Sequence, residues 1–118
     1  MKKLVLFGLL LFLGVTLTAQ NKNAKATIEV DGICMMCKDR IEKASIKTKG
    51  VKSAVWNLNS HELSLIYDER KTNLTAIQES ITAVGHDTPD MIATDEAYAS
   101  VNPCCKYRDQ DVKDHQEN

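Results

Sequence analysis

The chain has 118 residues, of which 43% are hydrophobic and 26% charged, enough for one small domain with a modest core but not for two. Its 15 basic and 16 acidic side chains leave it close to neutral, a balance that argues against a nucleic-acid-binding protein. Nucleic acid is therefore not an expected partner.

Residues 1–20 have the features of a secretory signal peptide. Two lysines precede an apolar run over residues 4–15, and small and polar residues follow. The run is shorter than the roughly 18 apolar residues that a membrane span needs. We expect cleavage near Ala19 or Gln20 and a soluble protein in the periplasm or outside the cell.

The next segment predicts a strand, a helix and a hairpin. The alternation in KATIEV is typical of a half-buried strand. Cys37, Ile41 and Ala44 then follow at helical spacing, and Gly50 is a helix stop. Two further alternating runs in VKSAVWNLNSHELSLIYD flank a polar turn and predict a β-hairpin.

A second helix and a short last strand complete the predicted domain over residues 23–90. The helix is capped by Thr72 or Asn73 and ends at Gly85, and Pro89 would confine the strand in HDTPDM to a sheet edge. The order βαββαβ predicts an α+β, ferredoxin-like fold, a four-stranded antiparallel sheet with both helices on one face. Residues 91–118 form a C-terminal extension with a Cys-Cys pair and a polar tail.

Cys34 and Cys37 form a C-x-x-C pair between the first strand and the first helix. Cys37 lies in the first helical turn, where unpaired N–H groups and the helix dipole favour a thiolate. Two thiolates select soft ions such as Cu(I), Hg(II), Cd(II) or Zn(II), although zinc would need two more ligands. A C-x-x-C pair is also typical of a redox couple, and in an oxidising compartment every cysteine is a candidate for a disulfide.

Four features within residues 24–90 point to one family. They are the segment VDGICMMCKDRIEKA, Gly50-Val51, the segment LSLIYD, and the set Leu74, Ile77, Ile81 and Gly85. With these features the sequence resembles a heavy-metal-associated domain, the family of small copper chaperones, metal-ATPase modules and the periplasmic mercury-binding protein. The resemblance implies a binding and transfer module for soft metals, most often Cu(I), with Cys34 and Cys37 as ligands. The family usually has G-M-T-C-x-x-C, whereas here Gly32-Ile33 runs directly into Cys34.

Histidines and methionines offer further ligands. The segment between the first strand and the first helix that contains Cys34 and Cys37 is called the metal loop. His86 follows the second helix and is predicted near the metal loop, as a third ligand or as a solvated loop residue. His61, in the hairpin turn, is predicted at the opposite end of the sheet and is discarded as a ligand. Met35 and Met36 offer thioethers, which favour Cu(I), or adaptable contacts for a partner.

Cys104 and Cys105 lie in the extension. The last strand would end far from the metal loop, but the about thirteen residues after Met91 cover enough distance at ~3.3 Å per residue. We therefore expect Cys104 or Cys105 to raise the number of metal ligands to three or four.

The expected route of the extension crosses the sheet face that no helix covers. Tyr98 and Val101 would pack there against Val55 and Ile66. The alternatives are a disulfide to the C-x-x-C pair, a disulfide between the two neighbours, and free thiols in a tail without fixed structure.

The sequence thus predicts an exported, non-catalytic protein that binds a soft metal. Cu(I) is the leading ion, with Hg(II), Zn(II) and Cd(II) as alternatives, and a membrane metal transporter is the expected partner for delivery. Sequestration of the ion is the other outcome considered. The competing hypothesis is a periplasmic thiol-disulfide redox protein. We expect a monomer, with a metal-bridged dimer as the alternative.

Overall fold

The computed structural model describes the backbone of residues 20–117 and the side chains of residues 20–114. The signal peptide predicted for residues 1–20 lies outside the described residues, apart from Gln20. Within the described part, no helix combines the length and the apolar character that crossing a membrane requires. The elements are β1 (Ala24–Glu29), α1 (Met35–Lys47), β2 (Val51–Trp56), β3 (Glu62–Tyr67), α2 (Leu74–Ala83), α3 (Asp95–Ala99), a 3-10 turn (Pro103–Cys105) and α4 (Gln110–Glu117).

The three strands form one antiparallel sheet in the order β1-β3-β2. In β3 the side chains of Leu63, Leu65 and Tyr67 are buried while their neighbours are more exposed, as the period of a strand requires. Helix α1 packs against β2, and α2 packs against α1. The core therefore lies between the sheet and these two helices, as the predicted ferredoxin-like class requires.

The predicted fourth strand is the first correction, because the sheet of residues 20–117 has three strands. Among the described residues, one backbone hydrogen bond joins the predicted strand segment to the chain just after β1, from Asp31 N–H to the Asp87 carbonyl (3.0 Å). Beyond it the backbone bonds elsewhere: Thr88 N–H donates to the Met91 carbonyl (2.9 Å), and Asp90 N–H donates to the Gln78 side chain (3.2 Å). A ladder cannot continue where the strand's N–H groups are already used.

The position of His61 is the second correction. Residue Glu29 at the end of β1 pairs with Glu62 at the start of β3, and Val30 N–H donates to the His61 carbonyl (2.9 Å). An antiparallel partner of β1 begins where β1 ends. The turn that contains His61 therefore lies at the metal-loop end of the sheet, contrary to the prediction.

The route of the extension is the third correction. Without a fourth strand the chain is not carried to the far end of the sheet, and α3 begins after the N-cap Thr94. Val101 is buried against Gly85 rather than against Val55, which stays 55% exposed on the uncovered face. The part of the extension from α3 to the Cys pair therefore lies on the metal-loop side of the domain.

Candidate metal centre

The start of α1 fixes the C-x-x-C pair. Cys34 is the N-cap residue, and its carbonyl accepts a hydrogen bond from Lys38 N–H (3.1 Å). The Cys37 sulfur is fully buried and accepts a hydrogen bond from Ile33 N–H (3.5 Å). Gly32 permits this packing, because a Cβ there would lie 3.0 Å from the Cβ of Cys37 and 3.1 Å from the Trp56 ring. The Cys34 and Cys37 sulfurs lie 3.3 Å apart.

The extension brings both of its cysteines to Cys34. The Cys34 sulfur lies 2.7 Å from the Cys105 sulfur and 3.3 Å from the Cys104 sulfur. The sulfurs of these three residues all lie within 4.8 Å of one another, which makes them a group suited to a metal ion. All four cysteines are free thiols, so we call Cys34, Cys37, Cys104 and Cys105 the four-cysteine cluster.

Two residues shortly after the Cys pair, Tyr107 and Arg108, anchor the extension to the segment that follows α2. The Tyr107 hydroxyl donates to the Gly85 carbonyl (2.6 Å) and accepts from Asp87 N–H (3.1 Å). The Arg108 guanidinium forms an ion pair with the Asp87 carboxylate (2.8 Å) and lies over the Tyr98 ring, 4.3 Å from its centroid. Sequence reasoning missed this anchor, although an aromatic and a basic residue beside a Cys pair were visible in CCKYR.

The residues of the extension that precede the Cys pair pack closely against Gly85. Gly85 has a φ of +102°, and a Cβ there would lie 2.6 Å from the Ala97 carbonyl oxygen and 2.7 Å from the Val101 side chain. Arg40 of α1 adds a hydrogen bond to the Ser100 hydroxyl (3.3 Å). The extension is thus packed onto the domain on both sides of the Cys pair.

Burial controls the protonation of the extension's thiols. It raises the pKa of the Cys105 thiol far above its usual value, and hydrogen bonding to Cys34 and Cys37 adds to the effect. Burial also raises the pKa of the Cys104 thiol, with its hydrogen bond to Cys34 as the next cause. Without a metal, Cys104 and Cys105 are therefore protonated near pH 7, and an ion bound by them must displace their protons.

His86 is fully buried beside the metal loop, at the end of the domain where the sequence placed it. Its Nδ1 lies 2.8 Å from the Asp31 carbonyl oxygen, which can only accept, so Nδ1 carries the proton. Its Nε2 is buried and has no hydrogen-bond partner within the described residues. Burial lowers the pKa of the imidazole, which favours the neutral ring. His86 is not in the three-sulfur group, and its role as a ligand stays a prediction.

The remaining candidates differ in position. Met36 is 48% exposed, and its sulfur accepts a hydrogen bond from the Cys104 thiol (3.4 Å). Met35 is 63% exposed, and its sulfur has no such contact among the described side chains. The His61 ring stacks on Trp56, with 5.6 Å between the ring centroids, so it packs rather than joins the sulfurs.

The family is shown by the sequence itself. The profile of the heavy-metal-associated domain matches residues 27–87, and the chain belongs to that family. The matched segment contains Cys34, Cys37 and His86 and ends before Cys104 and Cys105. The resemblance inferred from the loop and helix residues is therefore confirmed.

Similar proteins include chaperones and transporters of copper. The chain is 33% identical over 61 residues to the copper chaperone CopZ of Staphylococcus haemolyticus (strain JCSC1435), an alignment that covers 51% of this chain and 90% of the chaperone. It is also 33% identical over 66 residues to a copper-exporting P-type ATPase of Staphylococcus saprophyticus, with 55% of this chain but only 8% of the ATPase covered.

The same similarity extends to solved structures. A structure of the CopZ metallochaperone matches with a TM-score of 0.53 at 30% sequence identity, and the match covers 55% of this chain and 98% of that chain. The predicted ferredoxin-like fold class is thereby confirmed for the domain.

Proposed function

We propose that this protein is an exported carrier of a soft metal ion, with Cu(I) as the leading cargo. The C-x-x-C pair and the Cys pair of the extension both contribute ligands to the ion. The protein delivers the ion to a membrane metal transporter or sequesters it. One observation carries the proposal: the Cys34 sulfur lies within 3.3 Å of the sulfurs of Cys37, Cys104 and Cys105.

Thiolate chemistry supports Cu(I) over harder ions. Sulfur ligands select Cu(I), zinc and other soft ions, whereas carboxylates and carbonyls suit magnesium and calcium. The relatives named as copper chaperones and copper-exporting ATPases favour copper within that group. Hg(II), Zn(II) and Cd(II) are the competing ions.

The size of the four-cysteine cluster also suits a metal. Three thiolates around an ion at about 2.3 Å each would stand about 4 Å apart. In the metal-free protein the sulfurs of Cys37, Cys104 and Cys105 lie 2.7 to 3.3 Å from the Cys34 sulfur. Metal binding therefore requires these sulfurs to move apart by about 1 Å. Side-chain rotation at Cys104, which is partly exposed, supplies its share of this movement, and the 2.7 Å separation has to widen by rotation of Cys34 or Cys105.

His86 is proposed as an additional ligand or as a group that tunes the site. The Nδ1–H hydrogen bond to the Asp31 carbonyl fixes the tautomer of the ring. The buried Nε2, which has no hydrogen-bond partner among the described residues, is therefore unprotonated and has the lone pair that a metal ion needs. Ligation requires Nε2 to reach an ion held by the sulfurs, and the count of nitrogen ligands measured below tests this.

The decisive test uses the exported chain purified without oxygen. Cu(I), Zn(II), Hg(II) and Cd(II) are titrated against a chromophoric competitor, and X-ray absorption counts sulfur and nitrogen ligands. We expect tight Cu(I) binding with three or more sulfurs, fewer sulfurs and weaker binding in Cys104→Ser/Cys105→Ser, and loss of binding in Cys34→Ser. Unchanged affinity and sulfur count in the double variant would remove the extension from the site.

A redox function is the second candidate, because the close approach of Cys34 and Cys105 also suits a disulfide after a small shift. An exported protein meets oxidising conditions. Turnover of a model disulfide substrate, together with no competitive binding of any of the four ions, would favour this function over metal transport.

A further inference from the structure

The sulfur atoms of this protein form a connected path from solvent to the core. Met36 is 48% exposed, Cys104 is partly exposed, Cys34 is 7% exposed, and Cys37 and Cys105 are fully buried. Each sulfur touches the next: Met36 to Cys104 at 3.4 Å, Cys104 to Cys34 at 3.3 Å, and Cys34 to Cys105 at 2.7 Å. Exposure therefore falls from Met36 through Cys104 to Cys34, which contacts both buried thiols, Cys37 at 3.3 Å and Cys105 at 2.7 Å.

The outer end of this path has a chemistry of its own. It combines a thioether, which needs no deprotonation, with a thiol, whereas the inner end consists of thiols alone. Thioether and thiolate ligands together select Cu(I). The first turn of α1 presents Met36 to solvent on the side where the 3-10 turn places Cys104.

We propose that Met36 and Cys104 form an outer two-sulfur site for Cu(I), through which the ion enters and leaves the buried thiolates. The inference rests on the proposed function, because it assumes that Cu(I) is the cargo. It goes beyond that function by assigning a ligand role to Met36 and different roles to the two neighbouring cysteines.

The transfer is a sequence of ligand exchanges without electron transfer. Cu(I) arrives on the sulfur of a donor; bonds to the Met36 thioether and the Cys104 sulfur form as the donor's bond breaks, and the Cys104 proton passes to water. Cys34 then replaces Met36 on the ion, and Cys105 or Cys37 joins as the thiol protons leave. Copper stays Cu(I) throughout, and release follows the same steps in reverse.

Met36→Leu and Met35→Leu provide a matched pair of variants. Both residues are exposed neighbours in the first turn of α1, but only the Met36 sulfur contacts a cysteine among the described residues. Stopped-flow spectroscopy measures the rate at which the full exported chain takes Cu(I) from a chromophoric complex and returns it to excess competitor.

We expect Met36→Leu to slow both directions about tenfold, equivalent to about 1.4 kcal/mol in the barrier, with a smaller change in equilibrium affinity. Met35→Leu should exchange Cu(I) at the wild-type rate. Equal rates for the two variants would overturn the proposal even when Cu(I) binds tightly. Absence of competitive Cu(I) binding in the wild type would instead reject the proposed function itself.

Direct detection of the thioether ligand gives a second measurement. The Met35→Leu protein is produced with selenomethionine, and copper X-ray absorption is recorded in the Cys37→Ser/Cys105→Ser background, where neither buried partner of Cys34 remains and the ion is expected to dwell at the outer site. A copper–selenium distance that disappears on adding Met36→Leu supports the site. A spectrum without any copper–selenium scattering, in a sample that holds Cu(I), rejects it.

Discussion

The Tyr107 hydroxyl donates a hydrogen bond to the Gly85 carbonyl oxygen at 2.6 Å, across 22 positions of sequence. This bond connects Gly85, two positions after the last residue of α2, with Tyr107, two positions after the 3-10 turn that contains the Cys pair. The position of the extension's thiols beside Cys34 therefore depends on a contact outside the four-cysteine cluster.

Removing that hydroxyl is the first prediction. Tyr107→Phe leaves the Gly85 carbonyl buried without its donor, and we expect a loss of about 1–3 kcal/mol in the free energy of unfolding, measured by urea denaturation. Cu(I) affinity should fall as well, because the Cys pair is held less firmly. Tyr67→Phe is the control, since Tyr67 is another largely buried tyrosine but its hydroxyl makes no hydrogen bond among the described residues. Equal losses in both variants would show that the anchor is not needed.

A second prediction compares two glycines with the same backbone conformation. Gly85 and Gly50 have φ values of +102° and +98°, so alanine at either position should cost about 1–2 kcal/mol of stability. Only Gly85→Ala drives a Cβ into the Ala97 carbonyl of the extension. We expect weaker Cu(I) binding in Gly85→Ala and unchanged binding in Gly50→Ala, measured by competitor titration of the folded proteins. Equal Cu(I) affinities would contradict the packing argument.

Alkaline pH should destabilise the reduced, metal-free protein. Burial raises the pKa of the Cys105 thiol in the folded state, so the unfolded chain releases this proton first as pH rises. Stability from this group is complete below about pH 8.5, the usual thiol value, and falls above it. Urea unfolding at increasing pH measures the effect, and Cys105→Ser should show a shallower decline, because serine does not ionise there. Parallel declines in the two proteins would be the contrary result.

Acid should weaken metal binding in proportion to the thiols that bind. Each coordinating thiol releases a proton, so below the thiol pKa the affinity changes by up to about tenfold per thiol per pH unit. The slope of log affinity against pH should therefore be smaller in Cys104→Ser/Cys105→Ser than in the wild type. Competitor titrations at several pH values measure both slopes. Identical slopes would mean that the extension contributes no thiolate.

The first five elements of the domain could be predicted because their signals are local. Helical spacing of Cys37 and Ile41, and alternation in β3, depend on residues a few positions apart. The fourth strand could not, since Thr88 and Asp90 form hydrogen bonds within the turn and with α2 instead of with β1. The strand propensity of a segment does not reveal which of two possible acceptors its backbone N–H groups will bond to.

The error at His61 has a different origin. The turn itself could be predicted from the sequence. The end of the sheet at which it lies depends on which strand β3 pairs with and in which direction. Because β3 runs antiparallel to β1, the turn lies beside the metal loop, where the His61 ring stacks on Trp56. Strand order is a property of the whole sheet and is not contained in any one segment.

By itself the sequence determined the family, the ferredoxin-like domain and the pairing of Cys34 with Cys37, because a three-residue spacing at a helix start brings two sulfurs together wherever the helix lies. Only the tertiary structure decided how Cys104 and Cys105 reach Cys34, across 70 and 71 positions of sequence. That approach depends on Tyr107, Arg108 and the absence of a side chain at Gly85. Contacts between distant segments follow from packing, and packing is settled only when the whole chain is folded.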